Sequence, residues 1–255
     1  MSAARSAAVE ERLEWRVATV IRVRDETPRA RTLELEVPAW PGHRAGQHVD
    51  VRLVAEDGYQ AQRSYSIASP PEAETVALTV ERLENGEVSS YLFDELREGD
   101  GLELRGPIGG YFVWDIDQGG PLLLVAGGSG VVPLMAMLRH HARSAAALRT
   151  RIPVRLLYSS RTWDDVIYRE ELERIGRAAD VRVAFAITRD APAGWTGYRR
   201  RIDRAMLEEV GWSPSEAPRA YVCGPTPLVE SVASLLVELG HDPVRVHTER
   251  FGPTG

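Results

Sequence analysis

The chain has 255 residues, of which 44% are hydrophobic and 27% charged, and a formal net charge of −6 at pH 7. That length has room for two domains or one large one, and the acidic balance argues against a general nucleic-acid binder. The longest apolar stretch, 122–138, is broken by Gly127, Gly128, Ser129, Gly130 and Pro133, short of the ~18 uninterrupted residues a membrane span needs. Residues 1–14 lack the apolar block of a secretory signal and read as a flexible tail, so the expected location is cytoplasmic, with no membrane partner.

Cys223 is the only cysteine, which excludes an internal disulfide and a thiolate cluster within this sequence. Every Lys/Arg position is arginine, so lysine Schiff-base and lysine-nucleophile chemistry are excluded as well. Neighbouring His140 and His141 would point about 100° apart on a helix and read as solvated residues rather than a chelating pair. No metal site is expected.

Segments 15–24, 31–37, 47–54, 63–69, 75–83 and 101–105 are rich in Val, Leu and Thr and separated by Pro, Gly and Asn-Gly turns. They read as antiparallel strands of a closed or nearly closed barrel, with one short helix at 89–96. The character changes near 117–120. A continuous apolar strand at 122–126 is followed by a glycine-rich turn and a helix through His141. Strands at 154–158, 181–187, 220–223 and 244–248 then alternate with helices at 168–177, 202–210 and 227–239. This pattern predicts a five-stranded parallel α/β sheet with ligands at the carboxyl ends of its strands. The expected division is a six-stranded barrel domain over 15–117 and an α/β domain over 118–255.

Several segments could carry chemistry. In Arg63-Ser64-Tyr65-Ser66, strand alternation puts Arg63 and Tyr65 on one face and the two serines on the other, with Ser64 expected to face the barrel. A guanidinium fork beside an aromatic ring suits a flat ligand that carries a phosphate. Gly127 to Pro133 ends a strand and opens a helix, where glycines admit a phosphate to the backbone and a proline is tolerated in the first turn. The spacing is not the Rossmann fingerprint, and no Walker lysine follows. Cys223-Gly224-Pro225 ends a later strand. Ser160-Arg161 and Thr188-Arg189 end two others, and a hydroxyl beside an arginine suits a phosphomonoester such as the one that separates NADP from NAD.

Taken in order, these segments resemble the ferredoxin–NADP reductase superfamily over nearly the whole chain. Arg63-Ser-Tyr-Ser66 resembles its Arg-x-Tyr-Ser/Thr flavin motif, and Gly86-Glu-Val-Ser-Ser90 its second flavin segment. Gly106-Pro-Ile-Gly-Gly-Tyr-Phe112 resembles the turn that closes the barrel, with one extra residue before the Phe. Gly127 to Pro133 resembles the nucleotide loop, with Ser129 for Thr. Cys223-Gly-Pro225 and Glu249-Arg-Phe-Gly252 resemble the segments on the nicotinamide side.

The resemblance implies bound FAD and NADPH as co-substrate, with NADH possible. It implies that Arg63, Ser64, Tyr65, Ser66, Gly86, Val88, Ser89 and Ser90 hold FAD. Arg63 would take the pyrophosphate, Tyr65 the ring and Ser66 the neighbourhood of flavin N5. For NADP it implies Gly128, Ser129, Gly130, Pro133, Ser160, Arg161, Thr188, Arg189, Cys223, Gly224 and Pro225. The reacting groups would be Ser66, Cys223, Glu249 and Phe251, with the nicotinamide within about 3–3.5 Å of the flavin for direct hydride transfer. With one cysteine in this sequence, no fused plant-type ferredoxin domain is expected, nor a globin segment before the barrel. The implied function is a monomeric reductase that passes single electrons to a separate ferredoxin, flavodoxin or oxygenase component. Arg22, Arg24, Arg29 and Arg31 are candidate contacts for an acidic partner. The alternatives are an NAD(P)H:flavin reductase acting on free flavin, and a non-catalytic flavin- or nucleotide-binding regulatory subunit.

Overall fold

The computed structural model describes residues 13–55, 57–148 and 151–252. The tail expected over 1–14 lies outside the described residues except for Leu13 and Glu14. Among the described residues no helix is long and apolar enough to cross a membrane.

Six antiparallel strands form the first sheet: β1 Trp15–Thr27, β2 Ala30–Glu36, β3 His48–Val54, β4 Gln60–Ser66, β5 Val76–Glu81 and β6 Gly101–Ile108, in the order β4-β3-β6-β1-β2-β5. The ladder does not close. Its edges, β4 and β5, meet only just past Ser66, through a bridge between Ile67 and Leu78 and an Ala68 N–H to Ala77 carbonyl bond of 2.7 Å. Alternation explains the inner face, where Leu33, Leu35, Val49, Val51, Leu78, Val80, Leu102 and Leu104 are buried together. On the outer face the Trp15 ring lies under the guanidiniums of Arg52 and Arg105, at 4.1 and 4.9 Å.

Register corrects one expectation. Val49 pairs with Tyr65 and Val51 with Arg63, so these two side chains share the inner face of the sheet at its edge. Ser64 pairs with Asp50 and therefore falls on the outer face, not in the barrel. Its hydroxyl donates to Asp50 Oδ1 at 2.6 Å, and Asp50 Oδ2 accepts from Arg105 at 3.0 Å.

The second sheet is parallel: β7 Leu122–Gly127, β8 Val154–Thr162, β9 Val181–Asp190, β10 Arg219–Pro225 and β11 Val246–Phe251, in the order β11-β10-β7-β8-β9. Helices α2 Val131–Leu148 and α3 Arg169–Ile175 follow β7 and β8, while α4 Arg204–Val210 and α5 Thr226–Glu238 follow β9 and β10. The unbroken apolar run of β7 has a simple cause. Leu122, Leu124 and Ala126 join the core beneath α2, while Leu123 and Val125 join the core with α4 and α5. The strand order reverses between β7 and β10, and this switch point is where a ligand fits outside the carboxyl ends of an α/β sheet.

The chain between the sheets packs mainly with the second. Phe112, Trp114 and Ile116 are buried in the core beneath α2, although the sequence groups them with the barrel. His140 and His141 are likewise not solvated, at 6% and 3% exposure. His140 Nδ1 lies 2.5 Å from Glu72, and His141 Nε2 lies 2.8 Å from the Ile152 carbonyl.

Candidate active site

β4 sets the first part of the site. Arg63 is exposed, meets no carboxylate within ion-pair distance among the described residues, and donates from Nη1 to its neighbour's carbonyl at 2.6 Å. Tyr65 is half-buried against the barrel core, and burial pushes its phenol far above the ordinary range, so it is a neutral ring at any working pH. Ser66 is half-buried opposite His48 of β3. A free cation, a neutral ring and a hydroxyl therefore follow one another along the rim of the sheet.

The segment that the resemblance assigns to the flavin pyrophosphate forms helix α1, Glu87–Ser90, which runs into a π-helical turn, Tyr91–Glu95. No side chain caps its first turn, which leaves N–H groups for an outside acceptor. Gly86 is required here, because a Cβ would collide with the Ser89 hydroxyl and with Leu83. Ser89 is buried and its hydroxyl is used inside the loop: it donates to the Gly86 carbonyl at 3.1 Å and accepts from the Leu83 N–H at 3.3 Å. Val88 is also buried. These two side chains shape the loop, and what they offer a ligand is backbone. Tyr59 draws the β3–β4 hairpin towards this turn through its hydroxyl, which donates to Glu87 at 3.1 Å.

The nucleotide loop lies at the switch point. Gly128–Gly130 form a 3₁₀ turn between β7 and α2, with Ser129 half-buried and Pro133 buried in the first turn of the helix. A side chain at Gly130 would run into the Cys223 carbonyl, and one at Gly127 into Leu228 and Pro225. Gly128 has φ +54 with open space where a side chain would stand. Two strand-end turns thus pack backbone to backbone and leave room above Gly128, as a phosphate cradle requires.

Beside this loop, Cys223 pairs with Glu249 and Pro225 with Phe251 across β10 and β11. Cys223 is 2% exposed, and its thiol faces Glu249 Oε2 at 3.9 Å. Burial, reinforced by the neighbouring carboxylate, pushes the thiol well above its ordinary value, so it is not a thiolate nucleophile. Desolvation lifts Glu249 to about 7, against a weaker lowering by the Cys223 contact. Phe251 is half-buried against the core beneath α2. An Arg250–Glu230 ion pair of 2.6 Å fastens the strand end beside it.

At the ends of β8 and β9, Arg161 and Arg189 are exposed and form no ion pair among the described residues. Ser160 is buried, and the Thr188 hydroxyl donates to the Ser160 carbonyl at 3.3 Å, tying the two strands together. The arginines, more than the hydroxyls, are available to an anion. Two of the four barrel arginines are neutralised internally, Arg24 by Glu26 at 2.5 Å and Arg31 by Asp25 at 2.8 Å, which weakens them as contacts for an acidic partner.

Sequence reasoning missed the supports of this site. Gln47 accepts from the Arg44 N–H and donates to the Gly109 carbonyl, both at 2.7 Å, which pins the turn after β6 to β3. Asp50 anchors β4 from its outer side. A Gln before a valine strand, or an Asp within one, carries no local signal of a partner dozens of residues away.

Models of two families match the chain: the oxidoreductase FAD-binding domain over residues 17–113 and the oxidoreductase NAD-binding domain over 124–234. Ferredoxin–NADP reductase B of Sorangium cellulosum is 35% identical over 243 residues, covering 92% of this chain and 96% of that protein. The glycine betaine monooxygenase reductase subunit of Chromohalobacter salexigens is 36% identical over 214 residues, and the match covers 82% of this chain but only 56% of the relative. Among solved structures, a cytochrome P450 reductase of Amycolatopsis superposes with a TM-score of 0.79 at 28% identity, covering 95% of this chain and 71% of that one. A Neisseria gonorrhoeae ferredoxin–NADP reductase with bound FAD and NADP shares the fold at a TM-score of 0.78 and 21% identity. Both sheets, their order along the chain and both domain families agree: the chain belongs to the ferredoxin–NADP reductase-like superfamily.

Proposed function

We propose that the protein is a monomeric reductase that uses bound FAD to oxidise NADPH and delivers electrons singly to a separate acceptor protein, a ferredoxin, a flavodoxin or an oxygenase component. FAD, when bound, supplies the step from two-electron to one-electron chemistry. The observation that carries the reading is that the helix opening at the glycine loop meets the chain just past β4, where Arg139 donates to the Ala68 carbonyl at 2.8 Å, so that two cradles share one boundary. Arg63, Tyr65 and Ser66 line one rim, and the loop at Gly128–Gly130, with Cys223 and Glu249 beside it, lies at the switch point of the neighbouring sheet.

Arg63 would neutralise the pyrophosphate together with the backbone of α1. Tyr65 would support the ring, and the Ser66 hydroxyl would bond its edge. Gly128, Ser129 and Gly130 would hold the dinucleotide phosphates, while Cys223, Glu249 and Phe251 would bound the nicotinamide. The neutral thiol and the high carboxyl pKa keep that corner low in charge. NADPH is preferred because Arg161 and Arg189 stand exposed at adjacent strand ends, where a 2′-phosphate would meet two uncompensated cations. A separate acceptor is supported by two facts. Relatives are named as reductase subunits of oxygenases, and the lone cysteine leaves this sequence no thiolate cluster of its own.

The test is gel filtration followed by acceptor assays. FAD should stay with the protein, and NADPH-driven cytochrome c reduction should accelerate on adding ferredoxin or flavodoxin. Loss of flavin on the column, with turnover restored by free flavin alone, would favour a flavin reductase instead.

A further inference from the structure

We propose that Arg139 is a positioning residue that fixes the distance between the nucleotide loop and the flavin segment by bonding both halves of the molecule at once. The proposal rests on the FAD and NADPH reading above and adds to it the part that aligns the two sites. Arg139 lies on the helix that begins at the nucleotide loop, about 12 Å along its axis from Val131. Its Nη1 donates to the Ala68 carbonyl at 2.8 Å, while Nε and Nη2 donate to the two oxygens of Glu171 at 3.1 and 2.6 Å. The guanidinium carbon also lies 4.8 Å from the centre of the Tyr168 ring.

Ala68 is two residues beyond Ser66, at the point where the two edges of the first sheet meet. One side chain therefore ties the helix behind the nucleotide loop to the peptide that continues the flavin segment. A second bond runs parallel to it. The Tyr168 hydroxyl bonds the Thr79 hydroxyl, which lies 2.8 Å from that of Thr32, and Thr32 donates to Glu26 at 2.6 Å. Tyr168 is 2% exposed and has φ +59, a backbone conformation rare for an aromatic residue.

Space-filling alone requires none of this. An apolar side chain at 139 would pack as well without desolvating a cation, and a lysine could not serve the carbonyl and a bidentate carboxylate together. His140 and Ser144 also cross the boundary, but they hold Glu72 in the loop after β4 rather than the flavin segment itself.

The test uses R139Q and R139K in the full chain, with two readouts beside dissociation constants for FAD and NADP⁺. In flavin-free protein, amide hydrogen exchange at Ile67 and Ala68 should accelerate about tenfold or more in R139Q, because the grip on this peptide is gone. In loaded protein, bleaching of the flavin band by saturating NADPH should slow about tenfold or more, with both dissociation constants within about twofold of wild type. R139K keeps the charge but cannot serve the carbonyl and both carboxylate oxygens together, so it carries the test should R139Q not fold, with a slowing of about threefold or more. Unchanged exchange and bleaching, or slowing only in proportion to lost FAD or NADP⁺ affinity, would overturn the proposal. A wild type that NADPH does not bleach would overturn the reductase reading instead, and the exchange result would still decide whether Arg139 grips the segment.

Discussion

In the antiparallel half, an edge strand offers the cofactor side chains, with the main chain of α1 beside them; in the parallel half, main-chain groups at glycine turns are assigned to the phosphates, with two arginines beyond them that form no ion pair among the described residues. Arg63 and Tyr65 project from β4, which among the described residues is an edge strand paired with β3. The nucleotide loop instead gains its shape from Gly127, Gly130 and Gly224 packing against each other's strands. The difference teaches where each half is fragile. Truncating a side chain in the first half should remove an interaction and leave the fold; adding one in the second should break the fold locally.

Four substitutions sharpen that contrast. The largest effect is expected from Gly130→Ala, because the new methyl would meet the Cys223 carbonyl, backbone that cannot swing aside. We expect a loss of about 3 kcal/mol or more in denaturant unfolding, together with loss of NADP⁺ binding by calorimetry. Tyr65→Ser should weaken FAD binding by about 1–3 kcal/mol, read by flavin fluorescence titration, while the unfolding midpoint of the flavin-free protein moves little. Arg189→Ala should raise the KM for NADPH about tenfold and leave that for NADH nearly unchanged, since only NADPH carries the extra phosphate. Equal effects on both would remove the basis for the NADPH preference.

The smallest expected effect, and the one most dependent on conditions, belongs to Glu249→Gln. Desolvation lifts the folded-state pKa from 4.5 to about 7, so the neutral form is the one the fold favours. The stability it contributes is full below pH 4.5 and is lost as pH rises to about 7. The variant should therefore match wild type at pH 4 and exceed it at pH 8 by about 1 kcal/mol or less, because solvent screening reduces the desolvation cost. Melting curves at the two pH values check this. A wild type more stable than the variant at pH 8 would mean that the carboxylate is paired rather than desolvated.

Much of this was legible because it was local. The apolar run of β7, the glycines after it and the alternation around Arg63 and Tyr65 report their surroundings within a few residues. What was not legible depends on partners distant in sequence. His140 and His141 read as solvated because nothing nearby says that Glu72, 68 residues away, will cover one of them. Alternation separates Ser64 from Tyr65 but does not say which face is inner; pairing with Asp50 puts Ser64 on the outer one. Ser89 reads as a ligand group in the sequence, but its hydroxyl bonds within its own turn. Arg139 carried no signal at all: an arginine in an amphipathic helix reads as exposed, and its partners Ala68 and Glu171 lie 71 and 32 residues away.

The central claim is that the two cradles serve one electron path from a nicotinamide nucleotide to FAD. Anaerobic stopped-flow mixing of the purified flavin-loaded protein with NADPH, and separately with NADH, read at the flavin absorbance band, tests it most directly. NADPH should bleach the band fully, and faster at equal concentration than NADH. A flavin that stays bound and oxidised with both nucleotides would contradict it.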